Sequence, residues 1–136
     1  MATTDAAAGA RRTRPLSPHL VIYKPTMTMA MSIVHRITGV GLYLGVLLLA
    51  WFLIAASSGA AAFSDFSWFM DSFLGWLILF GFTWALFHHL LGGLRHFVWD
   101  AGYGMDAPAR DQLAWATLIG GLVLTIVVWA IGLAIR

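Results

Sequence analysis

The sequence predicts an all-α membrane protein with three transmembrane helices, and two observations carry that reading. Of the 136 residues, 60% are hydrophobic and only 10% are charged, against roughly 45–50% and about 25% in an ordinary soluble domain. The few charges are also segregated. Residues 37–64, 72–94 and 112–135 contain no Asp, Glu, Lys or Arg, and each run exceeds the roughly 20 apolar residues that a spanning helix needs. A soluble enzyme lacks the charge to cover its surface here. A disordered chain, which needs high charge and low hydrophobicity, is excluded as well.

Taken in order, residues 1–29 read as a tail that does not span. Residues 1–13 are small, polar and basic and lack the apolar stretch of a secretory signal. Arg14-Pro15 and Lys24-Pro25 then favour extended or turn backbone. Residues 30–136 read as a three-helix anchor domain with spans at about 30–57, 70–98 and 111–135. The first span is expected to end near Ser57-Ser58-Gly59, and the next two segments are joined through a loop holding Asp65 and Asp71. No inverted internal repeat of the transporter kind is visible.

Basic residues set the expected orientation. Arg11, Arg12, Arg14, Lys24 and Arg36 precede or open the first span, and Arg95 and Arg110 flank the loop between the second and third. With three spans, all basic residues but Arg136 fall on one side, which should be cytoplasmic, or matrix in a mitochondrion. The pI near 9.5 is therefore read as a topology signal and not as a nucleic-acid footprint. Cysteine is absent, so disulfides, cysteine-ligated iron–sulfur clusters and covalent c-type haem are excluded.

The second span holds the most informative pattern. Gly81, Ala85, His89, Gly93 and His96 recur at helical spacing. Small residues around a histidine suit close approach of another helix, or of a flat macrocycle with the imidazole reaching its iron. From spacing alone, His89 is either a haem ligand or an interhelical hydrogen-bonding group. His88 points about 100° away. His96, beside Arg95, reads as an interfacial, snorkelling side chain.

The opening of the first span is the second constellation, Ser32-Ile-Val-His35-Arg36-Ile-Thr38-Gly39. Ser32 and Arg36 are four apart on one helix face, with His35 beside them. A hydroxyl, an imidazole and a guanidinium there could bind ligand carbonyls or carboxylates. The plainer reading is an Arg36 that holds lipid phosphate. Trp68, Trp76, Trp99 and Trp115 lie near span ends, as an aromatic belt requires.

These residues resemble the cytochrome b membrane-anchor subunits of succinate dehydrogenase (succinate:quinone oxidoreductase, respiratory complex II). One stretch of the match is Arg14-Pro15-Leu-Ser17-Pro18-His19-Leu-Val-Ile-Tyr23 with Ser32-Ile-Val-His35-Arg36-Ile-Thr38-Gly39. The other is His89-x-x-x-Gly93-Leu94-Arg95-His96-x-x-Trp99-Asp100-x-Gly102. The resemblance implies one part of a heteromeric helix bundle in the inner (cytoplasmic) membrane, or in the mitochondrial inner membrane of a eukaryote, with a cytoplasmic N-terminus. It implies His89 as an axial ligand of haem b, and His35, Arg36 and His96 near the haem propionates. It implies Ser32, Ile33 and Arg36 at the ubiquinone site, and no dicarboxylate-oxidising site in this chain. The implied partners are a flavoprotein subunit, an iron–sulfur subunit and a second small anchor subunit supplying the other haem ligand. Two alternatives stay open at this point: a haem-free structural anchor, and the anchor of a fumarate reductase.

Overall fold

The computed structural model describes residues 15–19 and 24–135. The sequence features assigned to Arg11, Arg12, Arg14, Tyr23 and Arg136 lie outside the described residues. Four helices lie wholly within the described residues, in order α1 (Met27–Ser58), α2 (Ala60–Met70), α3 (Phe73–Asp100) and α4 (Ala107–Ala134). Three of them, α1, α3 and α4, are long and apolar enough to cross a membrane.

The helices run beyond the charge-free windows at several ends. α1 starts at Met27, before Arg36, and α4 starts at Ala107, before Arg110 and Asp111. Charge marks where hydrocarbon ends, whereas a helix stops only where its backbone hydrogen bonding stops. α1 has 32 residues, which at 1.5 Å per residue is about 48 Å. The hydrocarbon core is about 30 Å thick, so the first turns of α1 stand at or beyond the interface unless the helix tilts strongly.

Local chemistry places the breaks. Gly59 has φ 106° and ends α1 while opening α2, a backbone region that a side chain would strain. Ser72 caps α3 by accepting a hydrogen bond from the Gly75 amide at 3.1 Å. After α3, Gly102 and Gly104 take positive φ. Trp99 closes that turn by donating its indole N–H to the Gly104 carbonyl at 3.1 Å. α2, expected only as loop, lies back on α1. Trp51 meets Phe66 and Phe69 with ring centroids 5.1 and 5.2 Å apart, and Phe52 meets Phe66 at 5.6 Å.

α3 is the central helix, packed most extensively on α4 and then on α1. The seams are built from small residues. Buried positions are Met31, Thr38, Gly45 and Ala55 on α1, and Ala85, His88, Gly92 and Arg95 along α3. Those on α4 are Ala114, Thr117, Gly121 and Thr125. Most of these spacings are three, four or seven, which keeps the small residues on one packed face of each helix. Small residues admit the backbone contact that replaces the hydrophobic effect inside a bilayer. A Cβ on Gly121 would stand 3.1 Å from the His88 Cα. Large apolar side chains such as Leu47, Leu77 and Val123 point outward and are exposed, as lipid- or partner-facing residues do.

Candidate functional site at the α1–α3 crossing

α1 and α3 run antiparallel, so the start of α1 meets the end of α3. This brings the two sequence constellations together. His89 and His35 stack with ring centroids 3.8 Å apart and an interplanar angle of 18°. His96 approaches His35 edge-on at 5.8 Å and Trp99 at 5.2 Å.

Two glycines make the stack possible. A Cβ on Gly92 of α3 would collide with the His35 ring, and one on Gly39 of α1 would stand 3.1 Å from His89 Cε1. Each helix therefore clears space for the other's imidazole. The stripe read from the sequence divides in two. Ala85 packs against α1, with Gly41 opposite it. Gly93 has nothing within 4 Å of its Cβ position, and Leu86, Leu90 and Phe97 around it are exposed. Gly81 faces a gap of about 240 Å³ between α1 and α3.

His89 is held by one ring nitrogen. Its Nδ1 lies 3.2 Å from the His35 carbonyl oxygen and 3.4 Å from Thr38 Oγ1. The Thr38 hydroxyl itself donates to the His35 carbonyl at 2.9 Å. A carbonyl can only accept, so Nδ1 carries a proton, and in the neutral ring the lone pair is then on Nε2. Nε2 has no hydrogen-bond partner among the described residues. An imidazole fixed through Nδ1–H to a backbone carbonyl is the arrangement that orients histidine ligands toward a metal. The exposed apolar face beside Gly93 suits a flat macrocycle, so the donor set fits a haem with one ligand from this chain. Among the described residues no cluster of three or more His, Cys, Asp or Glu could hold a bare metal ion.

His88 is placed differently. It is fully buried, stacks on Trp84 at 5.3 Å and abuts Gly121 of α4. The two adjacent histidines thus serve different faces of α3, about 100° apart.

Next to the stack lies a cavity of about 230 Å³ lined by Thr28, Ser32, His35, Arg36, Arg95, His96 and Trp99. Ser32, Arg36, His35 and His96 from the sequence reading therefore share one site. His89 stands beside it, and Ile33 points outward, 56% exposed and off the cavity wall. Arg95 and Trp99 were missed as site residues. Arg95 is 5% exposed, and its guanidinium lies 5.0 Å over the Trp99 ring, a contact worth roughly 0.5–2 kcal/mol. The signal that could have found it is its spacing: Arg95 lies seven residues after His88 and three after Gly92, on the packed seam of α3. Larger cavities of about 350 and 390 Å³ lie around Trp76 and Trp129, lined by apolar side chains with Asp71 the one ionisable group.

The family model described as succinate dehydrogenase/fumarate reductase transmembrane subunit matches residues 10–128. The chain belongs to this family. The transmembrane subunit is 43% identical over 116 residues to the succinate dehydrogenase cytochrome b556 subunit of Paracoccus denitrificans, covering 85% of this chain and 89% of the relative. It is 34% identical to the cytochrome b560 subunit of Reclinomonas americana over 123 residues, covering 87% of this chain and 85% of that one. It is 35% identical to the mitochondrial cytochrome b560 subunit of Sus scrofa, covering 78% of this chain and 64% of the relative. These relatives are subunits of succinate dehydrogenase, an enzyme complex. Three helices long and apolar enough to cross a membrane make this a multi-pass membrane protein.

Proposed function

We propose that this transmembrane subunit binds haem b and helps form the ubiquinone-reduction site of a succinate dehydrogenase. The observation that carries the proposal is the His89 ring, fixed at Nδ1 and free at Nε2, standing beside a cavity lined by Ser32 and Arg36. The cytochrome b names of the relatives support the haem. His89 Nε2 would ligate the haem iron, and a second small anchor subunit would supply the other protein ligand. His35, Arg36 and His96 would lie toward the propionates, while Ser32 and Arg36 would serve the quinone; Ile33, off the cavity wall, would not. When bound, haem supplies a one-electron store between donor and quinone.

The chain's own residues do the positioning. The Ser32 hydroxyl and the Arg36 guanidinium donate hydrogen bonds to a quinone carbonyl. Both sit where negative charge grows during reduction, and preorganised donors in such a place lower the barrier. The cavity lies at the interface end of the helices, so protons reach it from the adjoining aqueous side. With no cysteine, the chain cannot hold an iron–sulfur cluster. Electrons arrive from a separate iron–sulfur subunit, fed by a flavoprotein subunit that oxidises succinate. The basic residues put the N-terminus and the α3–α4 turn on that side.

The test uses the assembled complex. Ser32→Ala and Arg36→Leu should each lower succinate–ubiquinone turnover about tenfold or more, the loss of a hydrogen bond to a charged group. Succinate oxidation by an artificial dye should fall far less. Equal loss of both activities would assign these residues to assembly instead.

A further inference from the structure

Among the described residues, Arg95 is a buried cation with no part in the proposed function. Its Nε and Nη1 are buried and have no hydrogen-bond partner among the described residues. The ion pair found among those residues, Arg110 with Asp111 at 3.8 Å, lies elsewhere. A guanidinium out of water and without an acceptor is strongly unfavourable, so the assembled protein must bring an oxygen to it. Two features say which oxygen.

The first is the wall it shares. Arg95 lines the same cavity of about 230 Å³ as Ser32 and Arg36. That volume is below the roughly 300–1,000 Å³ of sites for drug-sized ligands. It suits a single ring head group whose tail leaves for the bilayer.

The second is direction. Gly92 marks the line along which α3 faces α1, because the His35 ring lies against it. At 100° per residue, His89 and Arg95 stand about 60° to either side of that line. A haem held by His89 would take the flank that carries Gly93, where nothing stands within 4 Å of its Cβ position, whereas Arg95 lines the cavity from the other flank.

We infer that Arg95 is a quinone-binding residue, donating from its guanidinium to a carbonyl oxygen of the quinone head group opposite Ser32 and Arg36. This rests on the quinone-site reading above. The Trp99 ring lies 5.0 Å beneath the guanidinium and lines the same cavity, a contact that restrains Arg95 before the ligand arrives. Lysine would keep the charge but lose the planar fork.

The experiment is steady-state kinetics of the membrane-assembled complex with a short-tailed ubiquinone, alongside its reduced-minus-oxidised spectrum and haem midpoint potential. Arg95→Gln should raise the quinone KM about tenfold or more, Arg95→Lys should raise it less, and both should keep the haem spectrum and potential. An unchanged KM in Arg95→Gln overturns the inference. So does an unchanged KM with a shifted haem potential, which would give Arg95 to a propionate. Failure of both variants to assemble also overturns it, by giving Arg95 to subunit packing. Ser32→Ala is run in parallel. If its KM rises and that of Arg95→Gln does not, this inference alone fails; if neither rises, the quinone-site reading itself fails.

Discussion

His35 does two jobs with two parts of one residue. Its carbonyl fixes the tautomer of His89, and its ring fills the notch at Gly92. Gly92→Ala would therefore drive the His35 ring out of the stack without touching His89. The expected outcome is lower haem content per complex and a stability loss of about 1–3 kcal/mol, the usual range for overpacking a tight contact. Optical haem quantitation and thermal unfolding of the complex measure both. Thr38→Val should be milder, about 1 kcal/mol, in line with interhelical hydrogen bonds in bilayers, with haem retained. The sequence made His89 legible because its neighbours repeat at helical spacing within one segment. The burial of Arg95 was not legible in that way. It depends on α1 lying over the end of α3, a contact between residues far apart in the chain, and the adjacent His96 is exposed at the same level.

At the scale of elements, the turn between α2 and α3 is the tightest joint in the fold. A Cβ on Gly75 would meet the Phe69 carbonyl oxygen and stand 2.6 Å from the Met70 Cα. Backbone cannot swing aside as a side-chain tip can. Gly75→Ala should thus destabilise the subunit by about 1–3 kcal/mol, and Ser72→Ala, which removes the cap, by about 1 kcal/mol. Thermal unfolding of the purified complex would rank them, and a Gly75→Ala complex melting with the parent would contradict the joint described here. The three long helices were legible because hydropathy and length suffice for a span. α2 was not, because its eleven residues are too few for a span and carry a charge at Asp65. Its support is the facing pair Trp51 and Phe52 on α1. Phe63, Phe66 and Phe69, three apart, were the signal.

For the whole molecule, one-sided charge and three crossings make a topology that can be checked directly. The chain has no cysteine, so single cysteines report cleanly. Ser64→Cys in α2 and Met105→Cys in the α3–α4 turn are both exposed positions. A membrane-impermeant maleimide added from outside should label the first in intact cells, and the second only after permeabilisation. The reverse pattern would invert the orientation proposed from the basic residues. Wide apolar surfaces on α1, α3 and α4 remain exposed in the isolated chain, far beyond the few hundred Å² that monomeric soluble proteins leave bare. That surface belongs in lipid and against partner helices. The most direct test of the whole reading is a reduced-minus-oxidised optical spectrum of the complex purified through a tag on this chain, recorded for the parent, His89→Ala and His88→Ala. We expect a b-type spectrum in the parent and in any His88→Ala complex that assembles, and its loss in His89→Ala. A colourless parent, or a His89→Ala complex with full haem absorption, would contradict it.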